Sequence, residues 1–296
     1  MAAEMLMLVL SMAIVVLSST GTCVFGGDLK EILQAGKLRH LGIPYANFVT
    51  DEMGGLDVEL MQLFALHLGV KYEFVETNWQ DVVADLTGKV VKPQGEDVEV
   101  VGESPVRGDV IATGFTILPW RKKVVDFSIP TFPTGVWIIA RADSELQPIA
   151  PTGDISQDIK AVKKALQGKS VLALRGSCLD PSLYGLNESG AEVKLFPSNR
   201  NLNEMIPTVM ARMADTTLMD VPVALIALEK WPGEIKVLGP VSPLQEMSCA
   251  FRKTSPNLRH AFDEFLGKCK ADGTYQTLVR KYYRSVFSYY GEFFKK

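Results

Sequence analysis

Residues 108–128 read GDVIATGFTILPWRKKVVDFS, and the interpretation of the chain starts from this stretch. Its first residues are apolar, as in a strand that is buried on both faces of a sheet. Gly114 follows at the carboxyl end of that strand, where it exposes its backbone carbonyl and amide. Thr116 adds a hydroxyl, and Pro119 has the fixed φ that suits the first position of a helix. The guanidinium of Arg121 is then placed to bind a carboxylate through two parallel hydrogen bonds.

The same stretch has an ordinary alternative interpretation. A threonine followed five residues later by an arginine also occurs where a surface arginine simply follows a loop. Taken alone, the spacing of Thr116 and Arg121 favours that alternative. A ligand site is supported only if other parts of the chain supply matching groups.

The composition of the chain excludes several classes of function. With 296 residues, 47% of them hydrophobic, the chain can bury a large core, and this length predicts two lobes. A formal net charge of -3 argues against nucleic acid or an anionic membrane surface as the main partner. Three histidines and four scattered cysteines, without a CxxC or HExxH motif, predict neither a metal site nor a cofactor.

The amino-terminal segment predicts export. Residues 6–18 (LMLVLSMAIVVLS) have the length of a signal-peptide core and are shorter than the roughly 20 residues of a comfortable membrane span. We expect residues 1–27 to be a signal peptide that directs the chain to the periplasm. An uncleaved N-terminal anchor is the alternative, because Glu4 and no Lys or Arg precede the core. A lipid anchor at Cys23 is a weaker possibility, because the preceding Ser-Thr-Gly-Thr matches that signal poorly.

The remaining cysteines are Cys178, Cys249 and Cys269. Export would bring them into an oxidising compartment, where three cysteines can form at most one disulfide among themselves. The sequence does not choose a pair. The alternative is that each is a small buried hydrophobic residue.

Strand and helix patterns alternate after residue 37. Strands are predicted at 38–43, 72–75 and 109–113, and helices at 56–68 and 79–88. This β-α-β-α-β order, with right-handed crossovers, predicts a mostly parallel sheet covered by helices.

A second series follows a predicted strand at 136–140. Its strands are expected at 171–174, 192–196, 217–221 and 235–238, and its helices at 155–167, 203–213 and 222–230. The turn at 175–178 is expected to open one more helix. The same order and similar length predict a second lobe similar to the first.

The two lobes are expected to share a hinge and a cleft. If a predicted strand at 246–251 pairs beside 136–140, two crossing strands join the lobes. The predicted fold is therefore α/β, with lobe 1 formed by 28–140 plus 245–296 and lobe 2 by 141–244. Ligands of open α/β sheets bind beyond the carboxyl ends of the strands, so the ligand cleft is expected between the lobes.

The chain resembles the extracytoplasmic solute-binding proteins of the amino-acid-binding type, the ligand-capturing components of ABC importers. It is also similar to the related ligand-binding cores of ionotropic glutamate receptors. The resemblance covers about residues 28–285, and the order and spacing of its motifs make it specific. Besides residues 108–128, the motifs are GLDVELMQLFALHLGVKYEFVETNWQDV (55–82), GSCLDP (176–181), TLMDVPVALIALEK (217–230) and FLGKCKADGTYQTLVRKYY (265–283).

The resemblance implies how a ligand carboxylate is bound. Arg121 matches the residue that binds the α-carboxylate. The turn at Ser177 and Cys178 matches the step that offers backbone N–H groups to the same carboxylate from the second lobe. A helix N-terminus there would add unsatisfied donors and a positive dipole end.

The resemblance also implies the remaining contacts of the ligand. Asp220 matches the acidic residue that pairs with the α-ammonium, and the Gly114 carbonyl and the Thr116 hydroxyl match the other acceptors. Tyr45 and Trp79 match aromatic residues that cover the ligand. Each has an alternative: Asp220 as a helix N-cap, Trp79 as a core residue of its helix, and Tyr45 as a surface aromatic.

Two features depart from the family pattern. Cys178 replaces the usual hydroxyl residue, which weakens side-chain donation to the carboxylate. The segment between Gly88 and Gly108 is longer than the usual link. With Val98, Val100 and Val101 between turn-forming residues, it predicts an added hairpin near the rim of the cleft.

The expected function is binding rather than catalysis. We expect a monomer that captures a small zwitterionic ligand, an amino acid or close analogue, by hinge closure and delivers it to an ABC permease in the inner membrane. One alternative is a periplasmic accessory or sensory binding protein for a separate partner. Another is an enzyme similar to periplasmic cyclohexadienyl dehydratases.

Overall fold

The computed structural model describes residues 27–50, 53–197 and 200–295. The predicted signal peptide, apart from residue 27, and the predicted lipidation site at Cys23 lie outside the described residues. Across the described ranges, no helix combines the length and apolar character that crossing a bilayer requires.

Strands and helices alternate through most of the chain. The strands are β1 (Lys37–Gly42), β2 (Lys71–Glu76), β3 (Lys89–Gln94), β4 (Asp97–Glu103), β5 (Val110–Ile111), β6 (Val125–Phe127), β7 (Phe132–Thr134), β8 (Val136–Arg141), β9 (Ser170–Ala173), β10 (Glu192–Leu195), β11 (Thr216–Asp220), β12 (Ile235–Pro240), β13 (Gln245–Met247) and β14 (Ala250–Arg252). The α-helices are α1 (Leu29–Ala35), α2 (Leu56–Leu68), α3 (Val82–Thr87), α4 (Pro119–Val124), α5 (Ile155–Ala165), α6 (Met205–Met210), α7 (Val221–Lys230), α8 (Pro256–Ala271), α9 (Thr274–Tyr282) and α10 (Val286–Tyr290). Short 3-10 helices span Pro181–Tyr184, Leu202–Glu204 and Gly291–Lys295.

The first sheet has the strand order β2-β1-β5-β14-β6. Strands β2, β1 and β5 run parallel, whereas β14 is antiparallel to both β5 and β6. Helices α2 and α8 pack together through aromatic rings: Phe64 lies 5.1 Å from Phe262 and 5.3 Å from Phe265, measured between centroids. The apolar faces of these two helices therefore meet in the core of the first lobe.

The second sheet has the order β10-β9-β11-β8-β12 and repeats the pattern of the first. Strands β10, β9 and β11 run parallel, and β8 is antiparallel to β11 and β12. The prediction of two similar α/β lobes with mostly parallel sheets is confirmed: each sheet is mixed, with four strands running in one direction and a single strand, β14 or β8, running against them. The reason is that β8 and β14 each enter their sheet from the other lobe and run against their neighbours.

The connection between the lobes differs from the prediction. Residues 246–251 do not form one strand: β13 pairs with β7, and β14 joins the first sheet. The predicted pairing with 136–140 is wrong, because β8 lies inside the second sheet between β11 and β12. Strand β8 is buried along most of its length, so its backbone needs a partner on each side. The crossing between the lobes therefore consists of β7 and β13. Strand β8, which the prediction placed in lobe 1, belongs to the second sheet.

The long segment before β5 forms the expected hairpin. Strands β3 and β4 pair antiparallel from Lys89 opposite Glu103 to Gln94 opposite Asp97, with an irregularity between Val90 and Val91. This two-stranded sheet is separate from both large sheets. The insertion therefore adds an independent element to the first lobe.

The turn after β9 does not open the predicted helix. The chain makes a one-turn 3-10 helix at Pro181–Tyr184, capped by the Asp180 side chain, which accepts from the Ser182 amide. Pro181 suits a first helical position, and Gly185, with φ 57°, ends the helix one turn later.

The three cysteines of the described residues are free and buried. Between the two interpretations left open by the sequence, the structure supports small buried hydrophobic residues. Burial raises the pKa of the Cys249 thiol well above its usual range, and it also raises that of Cys269.

Candidate functional site

Residues from both lobes meet at the carboxyl ends of the parallel strands. Tyr45 follows β1 of the first lobe, and Asp220 ends β11 of the second. The Tyr45 hydroxyl donates a hydrogen bond to Oδ2 of Asp220, and the Cys178 thiol donates to the same oxygen at 3.2 Å. These contacts bring three of the predicted site residues together across the cleft.

Arg121 is buried at the start of α4, with Pro119 at the first helical position as predicted. Its Nη1 donates to the Thr116 carbonyl at 2.9 Å, and its guanidinium carbon lies 3.9 Å from the centroid of the Phe115 ring. Burial lowers the pKa of Arg121 to about 10, against the opposing effects of Cys178 and Asp220. Its Nε atom has no hydrogen-bond partner within the described part of the chain.

Asp220 is fully buried, and its side chain does not cap α7. Asp220 does occupy the N-cap position that the sequence offered as the alternative, but its carboxylate accepts from none of the first amides of the helix, as a capping side chain would. Burial raises the pKa of Asp220, while hydrogen bonds from Tyr45 and Cys178 and the charge of Arg121 act in the opposite direction. Its second oxygen, Oδ1, has no partner among the described residues.

The turn between β5 and α4 holds the other two predicted acceptors. Gly114 has φ 60°, and a Cβ there would lie 2.5 Å from the Phe48 ring, so only glycine fits. Its amide donates to Oδ2 of Asp57 at 2.6 Å. The Thr116 hydroxyl is buried without a hydrogen-bond partner in the described ranges, near enough to the Cys178 thiol to lower its pKa slightly.

Three buried polar atoms thus lack protein partners at one place: Nε of Arg121, Oδ1 of Asp220 and Oγ1 of Thr116. An unsatisfied buried polar atom costs about 1–3 kcal/mol, and more when it is charged. The residues that carry these atoms are linked through Cys178 and through the Arg121–Thr116 hydrogen bond. A donor on a cation and two acceptors, one of them on a carboxylate, are suited to a ligand that has both an acidic and a basic group.

The turn at Ser177 and Cys178 lies beside these groups, and its backbone role in binding stays a prediction. The Ser177 hydroxyl donates to the Leu174 carbonyl at 2.9 Å and accepts from the Leu179 amide at 3.0 Å. This hydroxyl therefore stabilises the turn. The backbone amides of Ser177 and Cys178 donate to no other described residue, so they stay available to a ligand.

The two predicted aromatics pack against each other at the cleft. Trp79 lies 5.2 Å from Tyr45 between ring centroids, in an edge-to-face arrangement. Tyr45 is completely buried, so the surface alternative is wrong for it. Trp79 precedes α3 instead of lying within it. A cavity of about 500 Å³ opens next to Trp79, Trp120 and Gly176.

Two site residues were missed by the sequence analysis. The Tyr184 hydroxyl donates to the Cys178 carbonyl, and burial raises the pKa of Tyr184 well above its usual range. Asp57 lies beneath the Gly114 turn, where burial raises its pKa to about 7. Asp57 lies in the motif 55–82. In the sequence, however, an acidic residue in the first turn of a helix is typical of a favourable contact with the helix dipole and does not point to a site.

The described residues contain no group of three or more His, Cys, Asp and Glu side chains that could hold a metal ion.

Curated relatives include both binding proteins and an enzyme. The L-cystine-binding protein TcyJ of Escherichia coli is 26% identical over 286 residues, 95% of each chain. The membrane-bound lytic murein transglycosylase F of Desulfosudis oleivorans is 26% identical over 263 residues, 88% of this chain. The chain spans about half of that relative, 51% of its length.

Solved structures with the same fold include amino-acid-binding proteins. A mutant of the arginine-binding protein ArgBP from T. maritima superposes with a TM-score of 0.68 at 25% identity, covering 86% of this chain and 99% of the other. An ancestral amino-acid-binding protein, described as a precursor of cyclohexadienyl dehydratase, superposes with a TM-score of 0.66 at 26% identity, covering 86% and 98%.

The family comparison agrees with the geometry. A model of the bacterial extracellular solute-binding proteins, family 3, matches residues 106–285, which include Arg121, Ser177, Cys178 and Asp220. The fold is that of a two-lobed periplasmic binding protein, as in the structural neighbours. The chain belongs to the bacterial extracellular solute-binding proteins of family 3.

Proposed function

We propose that this protein captures a free α-amino acid, or a close analogue, between its lobes and delivers it to an ABC permease. The observation that carries the proposal is the set of unpartnered buried atoms on Arg121, Thr116 and Asp220. Relatives named for binding cystine and arginine support the ligand class.

The α-carboxylate would be bound by Arg121 and by the backbone amides of Ser177 and Cys178. Arg121 is held in place by its bond to the Thr116 carbonyl and by the Phe115 ring, so little side-chain entropy is lost when the ligand binds. Its free Nε gives the carboxylate a charged donor in a buried site, where charge-assisted hydrogen bonds are strong.

The α-ammonium would be bound by Asp220, the Thr116 hydroxyl and the Gly114 carbonyl. Oδ2 of Asp220 already accepts from Tyr45 and Cys178, and Oδ1 is free. A buried carboxylate without a full set of partners is destabilising, so the ammonium relieves a cost already present in the ligand-free protein. Recognition of both charged groups predicts a preference for zwitterions.

The test is isothermal titration calorimetry with the twenty proteinogenic amino acids and L-cystine. The wild-type protein is first freed of copurified ligand by denaturation and refolding, and the mass of the released molecule is recorded. We expect Arg121→Met to weaken binding at least about 100-fold, which corresponds to a loss of about 3 kcal/mol. Lys122→Met, which removes the adjacent exposed cation, is the matched control and should bind like the wild type.

The outcome decides between distinct conclusions. If Arg121→Met binds as tightly as the wild type, the site assignment is wrong. If no amino acid binds the refolded wild-type protein, the proposed ligand class is wrong. Uptake of the bound amino acid by the permease reconstituted in vesicles tests the transport role, and a binding protein that gives no uptake supports an accessory or sensory role for a separate partner.

An enzymatic function has one observation in its favour, the likeness to a precursor of cyclohexadienyl dehydratase. Dehydration needs a positioned acid, and Asp220 is a buried carboxyl group of the proposed site whose pKa is raised by burial. Incubation with prephenate or arogenate tests this alternative. Appearance of an aromatic product that Asp220→Asn abolishes would support catalysis, and its absence supports binding alone.

A further inference from the structure

A large cavity adjoins the clamp formed by Arg121 and Asp220. Its volume is about 500 Å³, and it opens beside Trp79, Trp120 and Gly176. Each of these residues neighbours a residue of the proposed binding site: Trp79 packs on Tyr45, Trp120 precedes Arg121, and Gly176 precedes Ser177. No side chain of the clamp itself lines the cavity, but these neighbours place it where the side chain of a ligand held at its α-carbon can extend.

The inserted hairpin forms the outer wall of the cavity. Val90, Val91, Lys92 and Pro93 of β3 line it, and the opposite wall comes from the second lobe through Leu174, Arg175, Leu195 and Phe196. The hairpin is thus carried by one lobe and faces the other across the space.

The base and tip of the hairpin are both anchored to the first lobe. At the base, Nη1 of Arg107 pairs with Oδ2 of Asp85 at 2.8 Å. At the tip, Lys123 pairs with Asp97 at 2.9 Å. These contacts fix the wall relative to α3 and α4, so its side chains hold defined positions at the cavity.

Two cations line the cavity from opposite walls. Lys92 lies on the hairpin and Arg175 on the turn after β9, and both are exposed. Neither makes an ion pair or a side-chain hydrogen bond with another described residue, whereas Lys123 nearby is paired. Asp81, whose Oδ2 accepts from the Asn78 side chain at 2.8 Å, also lines the cavity, so among the described residues the lining carries two cationic side chains and one carboxylate.

The walls between these charges are mainly apolar. Trp79, Trp120, Leu174 and Phe196 are buried, and Val91 and Pro93 are partly buried. Such a surface stabilises an unbranched side-chain stem by about 25 cal/mol per Å² of apolar area removed from water. Two like charges brought toward each other repel, and an anion between them removes that repulsion.

We propose that this cavity binds the distal part of the ligand, and that Lys92 and Arg175 select amino acids whose extended side chain ends in an anionic group. The inference rests on the proposed function, because the clamp must hold the α-amino acid head. The hairpin then acts as a determinant of specificity that is added to the fold.

The test compares two ligands of similar length, L-2-aminoadipate and L-norleucine, by calorimetry at low and high salt. We expect L-2-aminoadipate to bind at least about tenfold more tightly at low salt, since a paired carboxylate adds charge-assisted hydrogen bonds. Raising the salt concentration should reduce this preference, because the two cations are exposed. L-lysine, which ends in a cation, should bind more weakly than L-norleucine.

Variants separate the cavity from the clamp. Lys92→Met and Arg175→Met should each lower the affinity for L-2-aminoadipate about fivefold and leave that for L-norleucine unchanged. Lys89→Met is the matched control, since Lys89 is an exposed lysine of the same strand that does not line the cavity. Replacing residues 89–103 with a short Gly-Ser link should abolish the preference while L-norleucine still binds.

The results distinguish the two proposals. If L-norleucine binds as tightly as L-2-aminoadipate, or if Lys92→Met weakens both ligands equally, the distal anion site is wrong and the clamp stands. If no α-amino acid binds the wild-type protein, the clamp itself is wrong and the cavity proposal falls with it.

Discussion

Asp57 is a carboxyl group that supports the site without facing the cleft. It is buried in the first turn of α2, and its Oδ2 accepts from the Gly114 amide at 2.6 Å. Burial raises its pKa from 3.8 to about 7, an effect that the Gly114 hydrogen bond only partly opposes. The nearby Cys249, Tyr275 and Tyr283 also have raised pKa values, so this region favours neutral groups.

The pKa of Asp57 predicts how stability changes with pH. The folded protein keeps the proton up to about pH 7 and the unfolded chain loses it near pH 4, so this residue lowers the free energy of unfolding as pH rises between those values. The slope for one proton is at most about 1.4 kcal/mol per pH unit. Asp57→Asn keeps an acceptor for Gly114 and removes the titration. Its stability relative to the wild type should therefore grow from pH 5 to pH 8 in urea unfolding.

Asp126→Asn is a suitable control for the pH dependence of Asp57→Asn. Asp126 is partly exposed and pairs with Lys253, whereas Asp57 is buried. We expect no growth of its relative stability over the same pH range. If the free energies of unfolding of Asp57→Asn and the wild type differ by the same amount at every pH, Asp57 does not titrate as described.

The turn after β5 is the element on which the clamp depends most directly. Gly114 has a positive φ, and the Phe48 ring that a Cβ would contact is itself packed against Phe132 and Tyr283. The ring therefore has little room to move. Gly114→Ala should destabilise the protein by roughly 1–3 kcal/mol and weaken amino-acid binding, as measured by thermal unfolding and calorimetry.

Gly267 provides the contrasting substitution. It lies within α8, and a Cβ there would contact nothing within 4 Å. Gly267→Ala should raise stability by roughly 0.5–1 kcal/mol and leave binding unchanged, since alanine favours helix. If both substitutions change stability equally, the strain assigned to the Gly114 turn is absent.

Local patterns predicted the elements of this fold better than their pairing. Apolar spacing placed α2 and α7, and Pro119 at a first helical position placed Arg121. The pairing of β13 with β7 was missed, because it depends on two segments more than a hundred residues apart. The periodicity of apolar residues indicates which residues are buried, but it does not indicate which strand pairs with them.

The same distinction applies to the site. Arg121, Asp220, Tyr45 and Cys178 were predicted from motifs and do meet across the cleft, although their role in binding stays a prediction. Tyr184 was missed because its position depends on the 3-10 helix that replaces the expected α-helix. Whether a four-residue segment continues as a helix depends on tertiary packing, which a short apolar pattern does not specify.

At the scale of the whole molecule, the lobes touch each other through the residues that would bind the ligand. Besides the Tyr45–Asp220 hydrogen bond, the Ala46 amide donates to the Asn203 side chain at 3.2 Å. Both contacts link the loop after β1 to the second lobe. The lobes are joined covalently through the β7 and β13 crossing, so we expect such contacts to limit how far the cleft opens.

Tyr45→Phe tests this control of closure. The substitution removes the hydrogen bond to Asp220 and keeps the ring packed on Trp79. The ligand-free variant should populate open forms more than the wild type does, and small-angle X-ray scattering should show a larger radius of gyration. Its amino-acid affinity should fall roughly five- to tenfold, because the ligand must then provide more of the energy of closure. Tyr289→Phe, at an exposed tyrosine, should change neither quantity. An unchanged radius together with unchanged affinity in Tyr45→Phe would mean that Tyr45 does not hold the lobes together.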